Sequence, residues 1–446
     1  MTRMQLTEVL RTAKKSLDQG NLYEAQQWYE QAIRIAPASF EANFHLSVVY
    51  HDLGQRDAAI QCLRKVVEVR SSSIEGWFNL GSMLQLEGRF REAEDAYREV
   101  IRLNPVLPEA HNNLGIVVRE LGDLEAAVAC FQEAVRLRPD MSAGWHNIGT
   151  VSIKLRDADR AVFACERAKA LAPQSPEIRF AAGLAYELAG NRELADKEWS
   201  TAIQLRPEVS EWRYHRAAAQ GGSAPPSAPK SYIRDLFDAY AARFDSHLKG
   251  RLQYQTPELL FEAAALGAEK DLKILDLGCG TGLCGRLFKD AAAQLIGVDL
   301  SPAMIHEAEL TQTYHELHVA DLVEYMDTQD RHFDLVLASD VFIYIGELGG
   351  VFRAVGRILK PGGKFVFSTE AVVGISEAEE ENRNWDPEVQ GFVLNTTRRY
   401  SHHRPYLQAL GQRSGFRTGV IRRAELRRQA GEMVEGWIVV LIKTAE

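Results

Sequence analysis

Hydrophobic positions in the first half of the chain follow a helical period nested inside a longer one of 34 residues. Pro37, Pro105, Pro139, Pro173 and Pro207 fall on one 34-residue grid, with Ser71 in the remaining place. Ala25, Ala59, Ala93, Ala127, Ala161 and Ala195 share that grid, as do Gly20, Gly54, Gly88, Gly122 and Gly190. A column of mostly large residues, Tyr29, Leu63, Tyr97, Phe131, Cys165 and Trp199, completes it. Each unit reads as two antiparallel helices: glycine permits the turn, alanine lets the helices approach closely, and proline ends the second helix. The predicted array covers residues 6 to 209, followed by a capping helix to residue 220.

Gly221 to Pro229, made only of Gly, Ser, Ala and Pro, breaks the pattern and predicts a linker between a first domain, 1–220, and a second, 230–446. Beyond it apolar β-branched runs alternate with helical stretches, the order expected of a parallel sheet covered by helices. Strands are expected at Lys273–Leu277, Gln294–Asp299, His315–Ala320, Phe333–Ala338 and Gly363–Ser368, with two more near Gly415–Ile421 and Gly436–Ile442. The fold class is therefore multidomain, an all-α repeat array followed by an α/β domain.

Composition narrows the function classes. The 446 residues are 46% hydrophobic and 25% charged, which is globular, and the formal net charge is −9. Basic clusters such as Arg398-Arg399 and Arg422-Arg423 with Arg427-Arg428 are short and interleaved with acids, so nucleic acid is a poor candidate partner. Five scattered cysteines without CxxC spacing suggest neither a disulfide framework nor a metal site. The start of the chain has no apolar leader and no stretch of 18 apolar residues occurs, so the expectation is a cytoplasmic protein without a membrane span.

The repeat pattern resembles the tetratricopeptide repeat, six times over. Leu80-Gly81 and Leu114-Gly115 keep its Leu-Gly pair, whereas Thr12-Ala13 and Leu46-Ser47 depart from it and suggest less regular packing early on. The resemblance implies a superhelix whose concave face, built by the first helix of each unit, binds a protein or peptide. Asn79, Asn113 and Asn147 recur at one place of the unit, with His45 there in repeat two. Two readings stand: similarity to the repeats of the O-linked N-acetylglucosamine transferase suggests a ladder of amides holding a peptide backbone, while a solvated polar face, common at this place in such repeats, is the alternative. Trp77 and Trp145 hold a fixed place in the unit and are expected to pack between helices rather than stack on a ligand.

After the first strand comes Asp276-Leu-Gly278-Cys279-Gly280-Thr-Gly282. Glycines there let a loop bend tightly and bring backbone amides close to a ligand. A dinucleotide site would have GxGxxG, whereas this spacing is GxGxG behind an acid. It resembles motif I of class I S-adenosylmethionine-dependent methyltransferases, which implies a Rossmann-like fold, S-adenosylmethionine as cofactor and S-adenosylhomocysteine as product. In register, Asp299 with Leu300 matches the ribose position, Asp321 with Leu322 the adenine position, and Asp340 the position facing the cofactor's amino-acid end or the acceptor. A helix cap is the rival role for Asp321. Cys279 reads as a small loop residue rather than a nucleophile.

Residues 232–260, Asp340 to Leu348 and Arg399 to Tyr406 resemble bacterial methyltransferases that carry tetratricopeptide repeats. That resemblance implies a covering helix with Tyr240, Phe244 and Tyr254 as lid candidates; an amphipathic core helix would contain them too. His402 is the first candidate base because imidazole titrates near neutrality, with a locally satisfied histidine as the alternative; Tyr344, Glu370 and His403 follow. No zinc spacing, phosphate loop or nucleophile elbow occurs. The acceptor is not legible, and a repeat scaffold with a degenerate or cofactor-sensing second domain remains the alternative function.

Overall fold

A computed structural model describes residues 3–221, 224–241, 244, 254–375, 379, 391–429 and 432–445. The chain divides into two compact units, Met1–Pro207 and Glu208–Glu446. Gly222 and Ser223 of the expected linker, and residues 242, 243 and 245–253 of the expected covering segment, lie outside the described residues.

The first unit holds twelve helices among its described residues. First helices of the six pairs are Arg3–Asp18, Phe40–Asp52, Ile74–Leu86, Pro108–Glu120, Ser142–Lys154 and Pro176–Leu188; second helices are Leu22–Ile35, Arg56–Val69, Phe90–Leu103, Leu124–Leu137, Ala158–Leu171 and Arg192–Leu205. The repeating columns fit together as partners. Tyr97, Phe131, Cys165 and Trp199 are buried against Gly81, Gly115, Gly149 and Gly183, where an added Cβ would stand 3.0, 2.6, 2.5 and 2.3 Å from the facing side chain. Ala13 and Ser47 fill that place in the first two repeats and are also buried. Their departure from Leu-Gly costs no helix length, since Phe40–Asp52 and Ile74–Leu86 both have 13 residues.

A second column closes each turn. The side chains of Asn43, Trp77, Trp145 and Arg179 donate to the carbonyls of Pro37, Ser71, Pro139 and Pro173 at 2.9–3.0 Å, and a His111 ring nitrogen pairs with Pro105 O at 2.9 Å. Trp77 and Trp145 thus staple the junction between units. Gly20, Gly54, Gly88, Gly122 and Gly190 adopt positive φ at the intra-unit turn, and Arg156 holds the same place at φ 63°.

In the second unit α13 (Ser210–Gln220) and α14 (Lys230–Asp238) precede α15 (Thr256–Ala264). Then follow β1 (Leu272–Leu277), α16 (Leu283–Phe288), β2 (Ala292–Asp299), α17 (Pro302–Leu310), β3 (Glu316–Val319), α18 (Leu322–Asp327) and β4 (Phe333–Ala338). The chain ends with α19 (Gly349–Ile358), β5 (Leu359–Ala371), β6 (Phe392–Leu394), β7 (Tyr400–His402), α20 (Arg404–Arg413), β8 (Phe416–Gln429) and β9 (Glu432–Lys443). Strands run β3-β2-β1-β4-β5 in parallel, with β9 antiparallel to β5 and β8 antiparallel to β9. Alternate residues of β1 feed two cores: Leu275 and Leu277 join Val298, Phe365 and Phe367 on one face, while Ile274 joins Leu295, Phe288 and Ile438 on the other. Chain order reverses between β1 and β4, which places a crevice beyond their carboxyl ends.

Two expectations are corrected. The capping helix α13 groups with the second unit, where Tyr214 and Ala218 share a core with Tyr344 and Tyr400 and the Tyr214 hydroxyl donates to Arg398 O. The expected linker is a strap bound to that unit: Pro226 O accepts from the amides of Gly346 and Glu347 at 2.9 and 2.8 Å, Pro225 O accepts from the Tyr400 hydroxyl, and Ala228 N donates to Tyr344 O.

Candidate functional site

Glycines shape the loop after β1. Gly278, Gly280 and Gly282 have φ of +64°, +53° and +89°, which L side chains rarely adopt. The loop hangs from β2: Gly278 N and Cys279 N donate to Val298 O, and Gly280 N donates to Asp299 Oδ2 at 2.9 Å. Asp299 Oδ1 accepts from Ser301 N at 2.9 Å, so the carboxylate is aimed by two amides while opening onto the crevice. Burial pushes its pKa up against those amides.

Beyond the loop lies a cavity of about 710 Å³ with a mostly apolar wall. It is lined by Gly278, Gly280, Asp299, Leu300, Asp321, Leu322 and Asp340, all expected at a cofactor site, and by Tyr344. Tyr240, Phe244 and Tyr254, the lid candidates, line it too. A Cβ on Gly280 would meet only the Phe244 ring, at 3.8 Å, so that glycine leaves cavity space free.

The covering side is built by α14. Phe237 packs edge-on to Tyr344 and Phe244, at centroid distances of 5.5 and 6.1 Å, and Tyr240 meets Phe244 at 5.3 Å. The helix is tied down at both ends. Asp238 Oδ1 accepts from the Ser301 hydroxyl and from Ala303 N, and Lys230 Nζ pairs with Asp321 Oδ2 at 3.0 Å and Glu324 at 2.7 Å. Asp321 also caps α18, its Oδ1 accepting from Val323 N and Glu324 N. Asp321 is thus a helix cap that also lines the cavity.

Opposite stands a polar cluster. Asp340 sits at φ 55°, its Oδ1 accepts from the Ser368 hydroxyl, and its Oδ2 accepts from Arg427 at 2.9 Å. Arg427 also donates to Glu370 and is almost wholly buried; Arg399 lies 3.6 Å from Glu370. Arg399 and Arg427 line the cavity, and the Tyr254 hydroxyl pairs with Ser339 at 2.9 Å. Burial raises the phenol pKa of both Tyr254 and Tyr344.

His402 is not in this wall. It is fully buried, with Nδ1 2.6 Å from Thr369 Oγ1 and Nε2 3.0 Å from Gly346 O, and burial lowers its pKa to about 4. A neutral imidazole with both nitrogens engaged fastens β7 to β5 and to the loop after β4, which corrects its expected role as base. Asp276, Cys279 and Gly282 also lie behind the wall, and burial pushes the Cys279 thiol well up, as befits an inert loop residue. Sequence reasoning missed Phe237, Asp238 and Lys230, whose only signal was one amphipathic helix. It saw Arg427 merely as part of a basic cluster, because partners 87 residues apart leave no local pattern.

In the repeats, Asn79, Asn113 and Asn147 are half-buried on successive first helices. The Asn147 amide donates to Asn112 Oδ1 of the preceding unit at 3.0 Å, and the Asn113 amide to the Tyr97 hydroxyl at 3.3 Å. Part of the column's hydrogen-bonding capacity therefore joins neighbouring helices.

Residues 275–367 match the family described as "Methyltransferase domain". Two tetratricopeptide-repeat families match residues 16–77 and, in three overlapping stretches, 50–105, 80–142 and 117–176. A malonyl-[acyl-carrier protein] O-methyltransferase of Pseudescherichia vulneris is 31% identical over 34% of this chain and 58% of its own length. A ubiquinone biosynthesis O-methyltransferase of Bradyrhizobium sp. (strain ORS 278) is 34% identical over 28% of this chain and 45% of its own length. The chain thus spans about half the length of these curated relatives. A solved tetratricopeptide repeat protein from Parabacteroides merdae ATCC 43184 is 16% identical, with a TM-score of 0.41, over 48% of this chain and 90% of that one. Tetratricopeptide repeats are followed here by a methyltransferase domain.

Proposed function

We propose that the protein is a class I S-adenosylmethionine-dependent methyltransferase whose repeats recruit a protein or peptide, as substrate or as partner. The observation that carries this reading is Asp299: a carboxylate at the end of β2, aimed by the amides of Gly280 and Ser301, opening onto a cavity walled by Gly278 and Gly280. Both oxygens keep lone pairs for the ribose hydroxyls. Asp321 and Leu322 would hold the adenine end, with Gly278 and Gly280 along the chain between. The residues present fit the cofactor.

When bound, S-adenosylmethionine supplies a methyl carbon already activated by a sulfonium leaving group. The protein's own part is alignment and exclusion of water. Phe237, Tyr240 and Phe244 would cover the donor, and Tyr344, Tyr254, Arg399 and Arg427 line the same cavity, where the acceptor would be held. The two relatives are named as O-methyltransferases, which supports oxygen as the accepting atom; their acceptors do not transfer to this chain. Asp340 and Glu370 are held by Arg427. This arrangement favours an acceptor oxygen that arrives ionised and is held by Tyr344 and Arg399 over one needing a histidine base. Titration of the full chain with S-adenosylmethionine tests the reading; no binding at millimolar ligand would favour the non-catalytic scaffold.

A further inference from the structure

Tyr314 precedes β3, and its ring runs beneath the glycine loop. Three glycines from three elements make room for it. A Cβ on Gly282 would stand 3.0 Å from Tyr314 Cε2, one on Gly285 of α16 2.3 Å from its hydroxyl, and one on Gly297 of β2 3.0 Å from Cδ1. The hydroxyl donates to Asp276 Oδ2 at 2.7 Å. Asp276 is fully buried beside Gly297 across the β1–β2 ladder, and its Oδ1 has no partner among the described residues. A buried carboxyl with one satisfied oxygen depends heavily on that bond. The Tyr314 hydroxyl and Asp276 are not in the cavity wall, so both act through the loop that is.

We propose that Tyr314 is a positioning residue: it props the glycine loop from below and holds the Asp276 carboxyl, so that the loop amides and Asp299 present one preset surface to the methyl donor. The proposal rests on the cavity being the donor site. Facing Asp276 are Tyr314, Asp299 from β2, Cys279 from the loop and Cys284 from α16; no cationic side chain pairs with it among the described residues. Burial raises its pKa to about 7 while the Tyr314 hydrogen bond pulls it down. Removing the hydroxyl therefore moves ionisation to higher pH. A cationic donor binds more tightly once Asp276 is ionised.

The test is titration of S-adenosylmethionine into the full chain and its Tyr314→Phe variant between pH 6 and 9, with hydrogen exchange at Gly278–Gly282 measured without ligand. In the natural chain affinity should rise with pH around a midpoint of about 7. Tyr314→Phe should weaken binding at pH 7 roughly threefold to tenfold, the worth of one hydrogen bond, and move the midpoint up by about half a unit or more. Loop exchange should quicken in the variant. An unmoved midpoint would overturn the proposal, whether affinity is unchanged or falls equally at all pH with the melting temperature, since packing alone does the latter. If the natural chain does not bind the donor, the functional reading fails, and unchanged loop exchange in Tyr314→Phe would then overturn the prop as well.

Discussion

At the residue scale, Asp299 bears most of the functional argument. Replacing it with alanine removes an acceptor that aligns the loop and, in the proposed complex, would hold the ribose, and should weaken donor binding by about 1–3 kcal/mol while the fold persists, since the side chain opens onto the cavity. Calorimetry with a melting curve on the same variant checks both halves of that statement. His402 makes the opposite case. Its pKa lies near 4 in the fold and near 6.5 unfolded, so it stays neutral in the native protein. The unfolded chain then binds more protons, and His402 contributes stability that is lost as pH falls from about 6.5 to about 4. Its substitution by asparagine should lower the melting temperature and flatten that acid limb of stability, leaving the pH–rate profile in place; loss of the limb on which the rate rises with pH would contradict this. The motif Asp276 to Gly282 and the spaced aspartates were legible because each lies at the end of a predicted strand. His402 misled because its chemistry suggested a base while its burial, a tertiary property, decides its role.

At the scale of elements, the repeats could be read almost entirely from one periodicity, because each unit contacts mainly its neighbours. The break in the glycine column at Arg156 is informative. That residue adopts φ 63°, the conformation glycine takes in the other turns. Arg156→Gly should therefore stabilise the first unit by about 0.5–1 kcal/mol, the left-handed strain relieved less the entropy that glycine adds to the unfolded chain. Denaturant unfolding of residues 1–207 measures it. The strap was not legible, since a Gly, Ser, Ala and Pro stretch looks the same whether it is free or bound through its carbonyls. Nor were β6 and β7, three residues each, too short for an alternating pattern. A fragment 208–446 keeps α13 and the strap, while 230–446 leaves the Gly346 and Glu347 amides and the Tyr400 hydroxyl without these acceptors. The longer fragment should be more stable by roughly 3 kcal/mol or more, from several hydrogen bonds and the apolar surface of Tyr214 and Ala218. Equal melting temperatures would mean that the strap is dispensable.

For the whole molecule, the proposed division of labour is that the second unit would bind the methyl donor and the first would select what is brought to it. Recruitment raises the local concentration of an acceptor without new contacts at the reacting centre. Asn79→Ala is the cleanest probe of the repeat column, because Asn113 and Asn147 have internal partners to lose. It should leave donor affinity and melting temperature nearly unchanged and reduce capture of the partner; unchanged capture would reassign the column to repeat packing. The most direct measurement of the central claim is calorimetric titration of S-adenosylhomocysteine into the natural chain and Asp299→Ala in parallel. One site per chain, weakened roughly tenfold or more by the substitution, is the result this account predicts. No binding to the natural chain at millimolar ligand, or equal binding to both proteins, would contradict it.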